Sequence, residues 1–371
     1  MEPTTTSSNF PGCLGSKINN YTLGERVGRG RTSTVYALAE TSSPAIIKVY
    51  RSKLDDPAGY ADEWREEINY LSKFRGTCFP ELIDVSAYAE FKNDQTRLHL
   101  CVIMEYAGLS VARILKKDGP LPEGTANTIA YDVCRGLALI HEAGLFHSDI
   151  KPGNIFWNGE HGKIGDLAAI VDPNNEEKGA AGTTAYWAPE YIYSNPLSPS
   201  VDMWALGVTY FEMLTRDALF DAYGDTQTIY GGDLDEFGIL SIEEDSEDSS
   251  IESVDETADF LTNFRLSCLF HRILGAPPEH IRCQMRGHFD TSGCPRNNKL
   301  QESVLLAEYL CNWPDINVPK VMRVIDGLIC WDPEDRQTAK EAVRLFKDIP
   351  SKPTKKPRKP KTVKKVFRGP E

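Results

Sequence analysis

The chain has 371 residues, 41% of them hydrophobic and 26% charged, with a net charge of −13. This composition excludes collagen-like, mucin-like and wholly disordered classes, and the length allows a large core without disulfide or metal staples. No apolar run approaches the about 20 residues of a membrane helix, so no membrane association is expected. Nor do the first residues, Met1–Gly12, carry the basic and apolar segments of a secretory signal.

Residues 1–20, rich in Ser, Thr, Asn, Gly and Pro, read as a flexible arm. From Tyr21 to about Tyr106 the pattern is strand-like, in YTLGERVGRG, TVYALAE, AIIKVY and LHLCVIMEY. One helix, Glu63–Phe74, interrupts it, with Trp64, Ile68 and Leu71 on one face. Helical periodicity then takes over. Ala126–Ala143 carries a stripe of Ile129, Val133, Leu137 and Ile140; Val201–Thr215 is apolar nearly all round and predicts a central buried helix; Lys320–Phe346 is again helical. A strand-rich part before a helix-rich part predicts an α+β fold of two lobes with a cleft between them.

Between these helices, residues 224–258 form an acidic, Ser-rich insertion without core periodicity. Asp217–Phe264 holds 15 Asp/Glu and no Lys or Arg, whereas Ser351–Glu371 has nine Lys/Arg against one acid. An acidic body argues against nucleic-acid binding by the folded part. The basic, Pro-rich tail, residues 350–371, resembles a nuclear-import signal, so the expected location is cytoplasm, nucleus or both. The nine cysteines are irregularly spaced and lack a CxxC, which fits reduced, intracellular, mostly apolar use. His and Cys at 268, 271, 280, 283, 288 and 294 match no common zinc spacing. Serines 241, 249 and 253 each have Glu three residues on, a pattern for acidophilic phosphorylation or simply a solubilising loop.

Three places carry chemistry. In Val27–Val35 (VGRGRTSTV), Gly28 and Gly30 let a turn approach phosphate closely or make a plain hairpin. The turn precedes a strand rather than a helix, which argues against a dinucleotide fold, and no GxxxxGK[ST] occurs. Lys48 lies in an apolar strand, where it pairs with a carboxylate such as Glu66 or Glu67 or snorkels to solvent. His147–Asn154 (HSDIKPGN) is followed twelve residues after Asn154 by Asp166. Phosphoryl transfer needs a carboxylate for the attacking hydroxyl, a cation near the γ-phosphate and oxygen ligands for Mg2+, and these residues include all of them.

In chain order, VGRGRTSTV, IIK, EEI, HSDIKPGN, GDLA, GTTAYWAPE, SVDMWALG and WDPEDR resemble the motifs of eukaryotic-type protein kinases of the serine/threonine class, from about Tyr21 to Phe346. The resemblance implies a bilobal kinase domain over residues 21–349, with an N-lobe at 21–104, a hinge at 105–107 and a C-lobe at 108–349. It implies transfer of the γ-phosphoryl of ATP, with Mg2+, to Ser/Thr of a protein substrate. Val27, Gly28, Gly30 and Val35 would enclose the nucleotide. Lys48 would contact its α- and β-phosphates, paired with Glu67, which fits the family's E-I-x-x-L spacing. Met104 would be the gatekeeper and Glu105–Ala107 the adenine-binding hinge. Asp149 would be the catalytic base and Lys151 would steady the γ-phosphate, while Asn154 and Asp166 would hold Mg2+. Thr183 would bond near Asp149 and Lys151, Glu190 would pair with Arg336, and Asp202 would anchor the catalytic turn. Lys151, in the K-P-x-N form, points to Ser/Thr rather than Tyr substrates.

The chain departs from the family pattern at Ser33 for the third loop glycine, Ile46 for the usual alanine, Leu167–Ala168 for Phe-Gly, and Ser148 for the Arg before the catalytic Asp. None removes a chemical group. Leu269–Ile281 (LFHRILGAPPEHI) resembles the cyclin-dependent/MAP kinase group, but Trp187 stands where that group carries an Arg. A pseudokinase scaffold and a small-molecule kinase are the alternatives; Glu190 with Arg336 argues against the second. A regulatory protein partner and the oligomeric state are left open by the sequence.

Overall fold

The computed structural model describes residues 16–30, 32–50, 60–92, 95–174, 182–192, 197–220 and 302–347. The acidic insertion, the His/Cys group, the three serines, the segment 269–281 and the basic tail lie outside these residues, as does most of the N-terminal arm. The chain divides into two compact units. The first holds residues up to Gly108 together with Ile164–Ala168; the second holds Leu109–Lys163 and, from Ala169, the rest of the described chain.

The first unit is a six-stranded sheet in the order β1-β2-β3-β4-β6-β5. Its strands are β1 (Lys17–Ile18), β2 (Tyr21–Arg29), β3 (Ser33–Ala39), β4 (Ala45–Tyr50), β5 (Leu82–Lys92) and β6 (Gln95–Glu105). The strand pairings among the described residues are antiparallel, which suits their β-branched and aromatic alternation. The period of two sends Ala45, Ile47 and Val49 of β4 into a core with Ile18, Leu23, Tyr36, Leu38, Cys101 and Ile103. Ile46, Lys48 and Tyr50 occupy the opposite face of the same strand.

Helix α1 (Ala61–Lys73) packs on β5 and β6. Its acidic first turn, Asp62 and Glu63, and basic last turn, Lys73, suit the helix dipole. The strand β5 is a separate element between α1 and the LHLCVIMEY strand, within the stretch whose pattern is strand-like.

The second unit is helical, with α2 (Val111–Asp118), α3 (Glu123–Glu142), α4 (Pro189–Ile192), α5 (Ser200–Thr215), α6 (Glu302–Cys311), α7 (Val318–Leu328) and α8 (Ala339–Lys347). Short strands β7 (Leu109–Ser110), β8 (Ile155–Trp157) and β9 (Gly162–Ile164) form a second sheet. The α3 stripe of Ile129, Val133, Leu137 and Ile140 is fully buried, and α8 packs against it. Helix α5 is buried along Val201–Thr215, as its apolar circumference predicts.

Lys320–Phe346 is not one helical run. It breaks at Ile329–Thr338 because Pro333 cannot continue a helix and disfavours helical geometry at Asp332. The Asp332 side chain instead accepts a bond from Glu334 N at 2.9 Å, starting a short turn.

Burial in α5 takes in two acidic residues, Asp202 and Glu212. Glu212 is 1% exposed and accepts a hydrogen bond from the Tyr186 hydroxyl at 2.7 Å. Burial pushes its pKa from 4.5 up to about 8, against the opposing effect of the Tyr186 bond. Between those two values the folded protein holds a proton that the unfolded chain has released. Stability therefore falls as pH rises through this window, and the loss is complete above the folded pKa. Glu212→Gln keeps the acceptor for Tyr186 and removes the titration. Urea unfolding from pH 4.5 to 8.5 should show the variant gaining stability relative to the wild type as pH rises, with the difference levelling off above about 8. A difference constant with pH would show that Glu212 does not titrate in this way.

Candidate active site

The β-hairpin of β2 and β3 places the glycine turn at the end of the first unit's sheet. Gly28 lies opposite Val35, and Gly30 N bonds to Ser33 O at 2.8 Å, closing the turn. Val27 precedes Gly28 on β2, a strand whose register shifts between Arg26 and Gly28. On the neighbouring strands Val35 lies opposite Lys48, Lys48 opposite Val102, and Ile46 opposite Met104. Directly opposed residues share a face, so Val35, Lys48, Ile46 and Met104 line one side of this sheet. Met104 is buried and lies opposite Ile46. Glu105 ends β6, where its N–H bonds Glu81 O at 2.9 Å; Tyr106 N bonds Pro44 O at 3.0 Å, and Ala107 is buried two residues before Leu109 opens the second unit.

Lys48 is the charged centre of the first unit. Its Nζ donates to Glu67 Oε1 at 3.0 Å and to Asp166 Oδ1 at 3.3 Å, and it lies 5.2 Å from the centroid of the Tyr50 ring. Helix α1 supplies Glu67 one turn after Trp64, both facing the sheet. Of the two adjacent glutamates, Glu67 rather than Glu66 makes this ion pair. Burial disfavours the Lys48 charge, but Glu67, Tyr50 and Asp166 outweigh it and hold the pKa well above the usual lysine value. Asp166 has φ +55°, in the left-handed region that a short polar side chain tolerates. Its carboxylate is 43% exposed.

The second unit holds the other group. The turn after α3 runs through His147–Asn154. Asp149 Oδ1 accepts from Thr183 Oγ1 at 2.9 Å; Oδ2 accepts from Asn154 Nδ2 and from Lys151 Nζ, each at 2.8 Å. Lys151 Nζ also donates to Thr183 Oγ1 at 2.7 Å, and Asn154 Nδ2 to Asp149 O at 2.9 Å. Asp149, Lys151, Asn154 and Thr183 thus form one bonded cluster, with Thr183 where the sequence placed it.

Beneath the turn, fully buried Asp202 accepts from His147 N at 2.7 Å and Ser148 N at 2.9 Å, and lies 2.9 Å from His141 Nε2. Glu190 pairs with Arg336 through a two-pronged fork at 2.5 and 2.7 Å, with the guanidinium 5.1 Å from the Trp204 ring. Both expected anchors are therefore present.

Sequence reasoning missed several contributors. Ser148 adopts φ +69°, and its Oγ donates to Ala169 O at 2.8 Å while its carbonyl accepts from Tyr191 Oη at 3.3 Å. Gly182, at φ +149°, passes so close that a Cβ would lie 2.9 Å from Ser148 O and from Trp187 Nε1. Tyr50 donates its hydroxyl to Glu67 Oε2. Its signal was its position two residues after Lys48, hence on the same strand face.

Each unit supplies oxygen chemistry that fits magnesium. In the first, Asp166 offers a partly exposed carboxylate; in the second, the two bonds donated by Asn154 Nδ2 leave that amide's oxygen available. These are the hard oxygen ligands Mg2+ takes, usually few in number and completed by phosphate and water. Among the described residues no cluster of three or more His, Cys, Asp or Glu is arranged for a metal. No described helix is long and apolar enough to cross a membrane.

Comparison with known proteins agrees. The chain is 26% identical over 355 residues to mitogen-activated protein kinase 12 of Danio rerio, covering 91% of this chain and 84% of that one. It is 26% identical over 234 residues to an Aurora kinase of Yarrowia lipolytica, covering 62% and 61%. A serine/threonine-protein kinase of Corynebacterium efficiens is 31% identical over 205 residues, 53% of this chain and 39% of that protein. In the last two cases the match spans less than two thirds of the relative. The protein kinase domain profile matches residues 21–345. A match over most of the chain, with the ion pair, the catalytic-turn cluster and both anchors in place, means that this chain belongs to the protein kinase domain family.

Proposed function

We propose that the protein transfers the γ-phosphoryl group of Mg·ATP to serine or threonine hydroxyls of a protein substrate. The observation that carries this reading is the Asp149–Lys151–Asn154–Thr183 cluster. A carboxylate held by three side-chain donors keeps a fixed direction, which general-base work requires. Asp149 orients the attacking hydroxyl and takes its proton. Lys151 steadies the charge on the transferring phosphoryl group, and Lys48, held by Glu67, binds the α- and β-phosphates. Val27, Gly28, Gly30 and Val35 enclose the nucleotide, with Met104 and Glu105–Ala107 around the adenine. Bound Mg2+ would neutralise phosphate charge, with Asn154 and Asp166 as its protein ligands. The substrate class follows Lys151 and the serine/threonine kinase names of the relatives.

Activity on a generic protein substrate separates this reading from a pseudokinase scaffold. Asp149→Asn should lower kcat by at least a hundredfold and leave nucleotide affinity within about twofold. Asp166→Asn should weaken Mg·ATP binding itself, read by titration of a fluorescent ATP analogue with Mg2+. Full activity of Asp149→Asn would remove the base assignment.

Control of the activity is proposed not to require phosphorylation of the activation segment. Leu167–Gly182 contains no Ser, Thr or Tyr, and the first hydroxyls, Thr183 and Thr184, follow it. Thr183 is already bonded to Asp149 and Lys151. Ser148 has no charge for a phosphate to neutralise, and its hydroxyl is bonded to Ala169 O. Protein made in bacteria and treated with phosphatase, with residues 166–190 unmodified by mass spectrometry, should phosphorylate substrate with Mg·ATP. Recovery of activity only on phosphorylation of Thr183 or Thr184 would overturn this.

A further inference from the structure

Glu67 is 2% exposed and offers two carboxylate oxygens. Lys48 uses Oε1. Oε2 is taken by the Tyr50 hydroxyl, from the same face of β4. Tyr50 is itself 2% exposed, and its carbonyl lies 3.3 Å from His99 Nδ1, so the residue is buried and its backbone held in the strand from which Lys48 projects. The ring also lies against the Lys48 ammonium. Burial raises the phenol pKa far above its ordinary value, with Lys48 opposing and Glu67 reinforcing the shift, so the hydroxyl remains a neutral donor at physiological pH. Helix α1 has a second tie one turn earlier, where Trp64 Nε1 donates to Cys101 O on β6 at 3.1 Å.

We infer that Tyr50 is a positioning residue for phosphoryl transfer: its hydroxyl holds the Glu67 carboxylate against Lys48, so that the lysine is kept in its phosphate-binding position by the chain's own sheet. This rests on the assignment of Lys48 to the nucleotide phosphates. Without the hydroxyl, Oε2 loses its donor among the described residues. A buried carboxylate oxygen without a donor is costly, and Glu67 then rotates or withdraws to find water. Lys48 follows it or is left to Asp166 alone. The hydroxyl neither touches the nucleotide nor exchanges a proton in the reaction; it acts through Glu67.

Tyr50→Phe keeps the ring, its burial and its contact with Lys48, and removes only the donor. The test uses the full chain as wild type, Tyr50→Phe, Glu67→Ala and the double variant, assayed with Mg·ATP and a generic protein substrate. A fluorescent ATP analogue with Mg2+ reports nucleotide affinity on the same four proteins. For Tyr50→Phe, kcat/KM for ATP should fall about tenfold, as expected for a lost bond to a charged group, mainly through a higher KM for ATP. The KM for protein substrate should stay unchanged. In the Glu67→Ala background the Tyr50 change should add less than twofold. A merely structural role would lower the active fraction, reducing kcat while leaving KM for ATP unchanged. Its losses would also multiply with those of Glu67→Ala. That pattern, or a Tyr50→Phe enzyme within twofold of the wild type, overturns the inference while the kinase reading stands. A wild-type protein that neither binds the analogue nor phosphorylates substrate removes the kinase reading, and the role of Tyr50 with it.

Discussion

The second unit is organised around a carboxylate that cannot leave. Asp202 sits in the first turn of α5, where the helix dipole favours a negative charge, and none of it reaches solvent. A buried charge is tolerated only when its lone pairs are filled. The N–H groups of His147 and Ser148 and the ring of His141 fill them. Two consecutive N–H groups aimed at one carboxylate dictate the backbone path between them, and Ser148 takes up the left-handed conformation that the path needs. Such a conformation costs on the order of 1–3 kcal/mol and persists only where several contacts enforce it. Here the Ser148 amide, hydroxyl and carbonyl are all bonded. Asp149 is the next residue, so its position follows from the anchor beneath it.

The same end of α5 also secures the segment beyond the turn. Arg336 fills the two oxygens of Glu190 and bonds the carbonyls of Ser200, Trp331 and Cys330. A guanidinium suits this site because its rigid fork distributes several donors in one plane, which an ammonium does not. One helix start therefore anchors both the His147–Asn154 turn and the segment that carries Trp187 and Tyr191, whose rings stack at 5.3 Å. An arginine at position 148 would bring a further cation to this turn and so need an anion. A serine needs only an acceptor, and Ala169 O is within reach. The turn is thus held at this position by a neutral bond rather than a charge-dependent one.

Much of this was legible in the chain. Period-two alternation in AIIKVY gave β4 its two faces, the 3.6 period gave the α3 stripe, and an apolar circumference gave the burial of α5, since these patterns depend on burial alone. Motif spacing brought Asp149, Lys151 and Asn154 to one turn, because five residues of backbone cannot separate them far. Asp332–Pro333 is a local signal for the break within Lys320–Phe346, although helical sequence stands on either side of it. Other features depend on long-range side-chain geometry. The acceptor for Ser148 Oγ lies 21 residues away, and Glu212 meets Tyr186 across 26. No local pattern encodes such pairs. The assignment of Ile164–Ala168 to the first unit, away from its sequence neighbours, is likewise a property of packing.

Helix α1 shows why such contacts matter beyond stability. It has 13 residues and no side-chain cap at its N-terminus. A helix of that length is marginal by itself in water, so its place is set by what it touches. Its apolar stripe supplies burial, but burial is non-directional and permits small rotations and slides. Directional bonds remove that freedom. Trp64 ties one turn of α1 to β6, and Glu67 ties the next to β4 through both Lys48 and Tyr50. Two attachments one turn apart, on two adjacent strands, fix rotation about the helix axis as well as translation along it. A helix held by its apolar face alone would need something outside the chain to choose among its positions. Here an indole, a phenol and a carboxylate of the domain itself supply directional bonds at one of them.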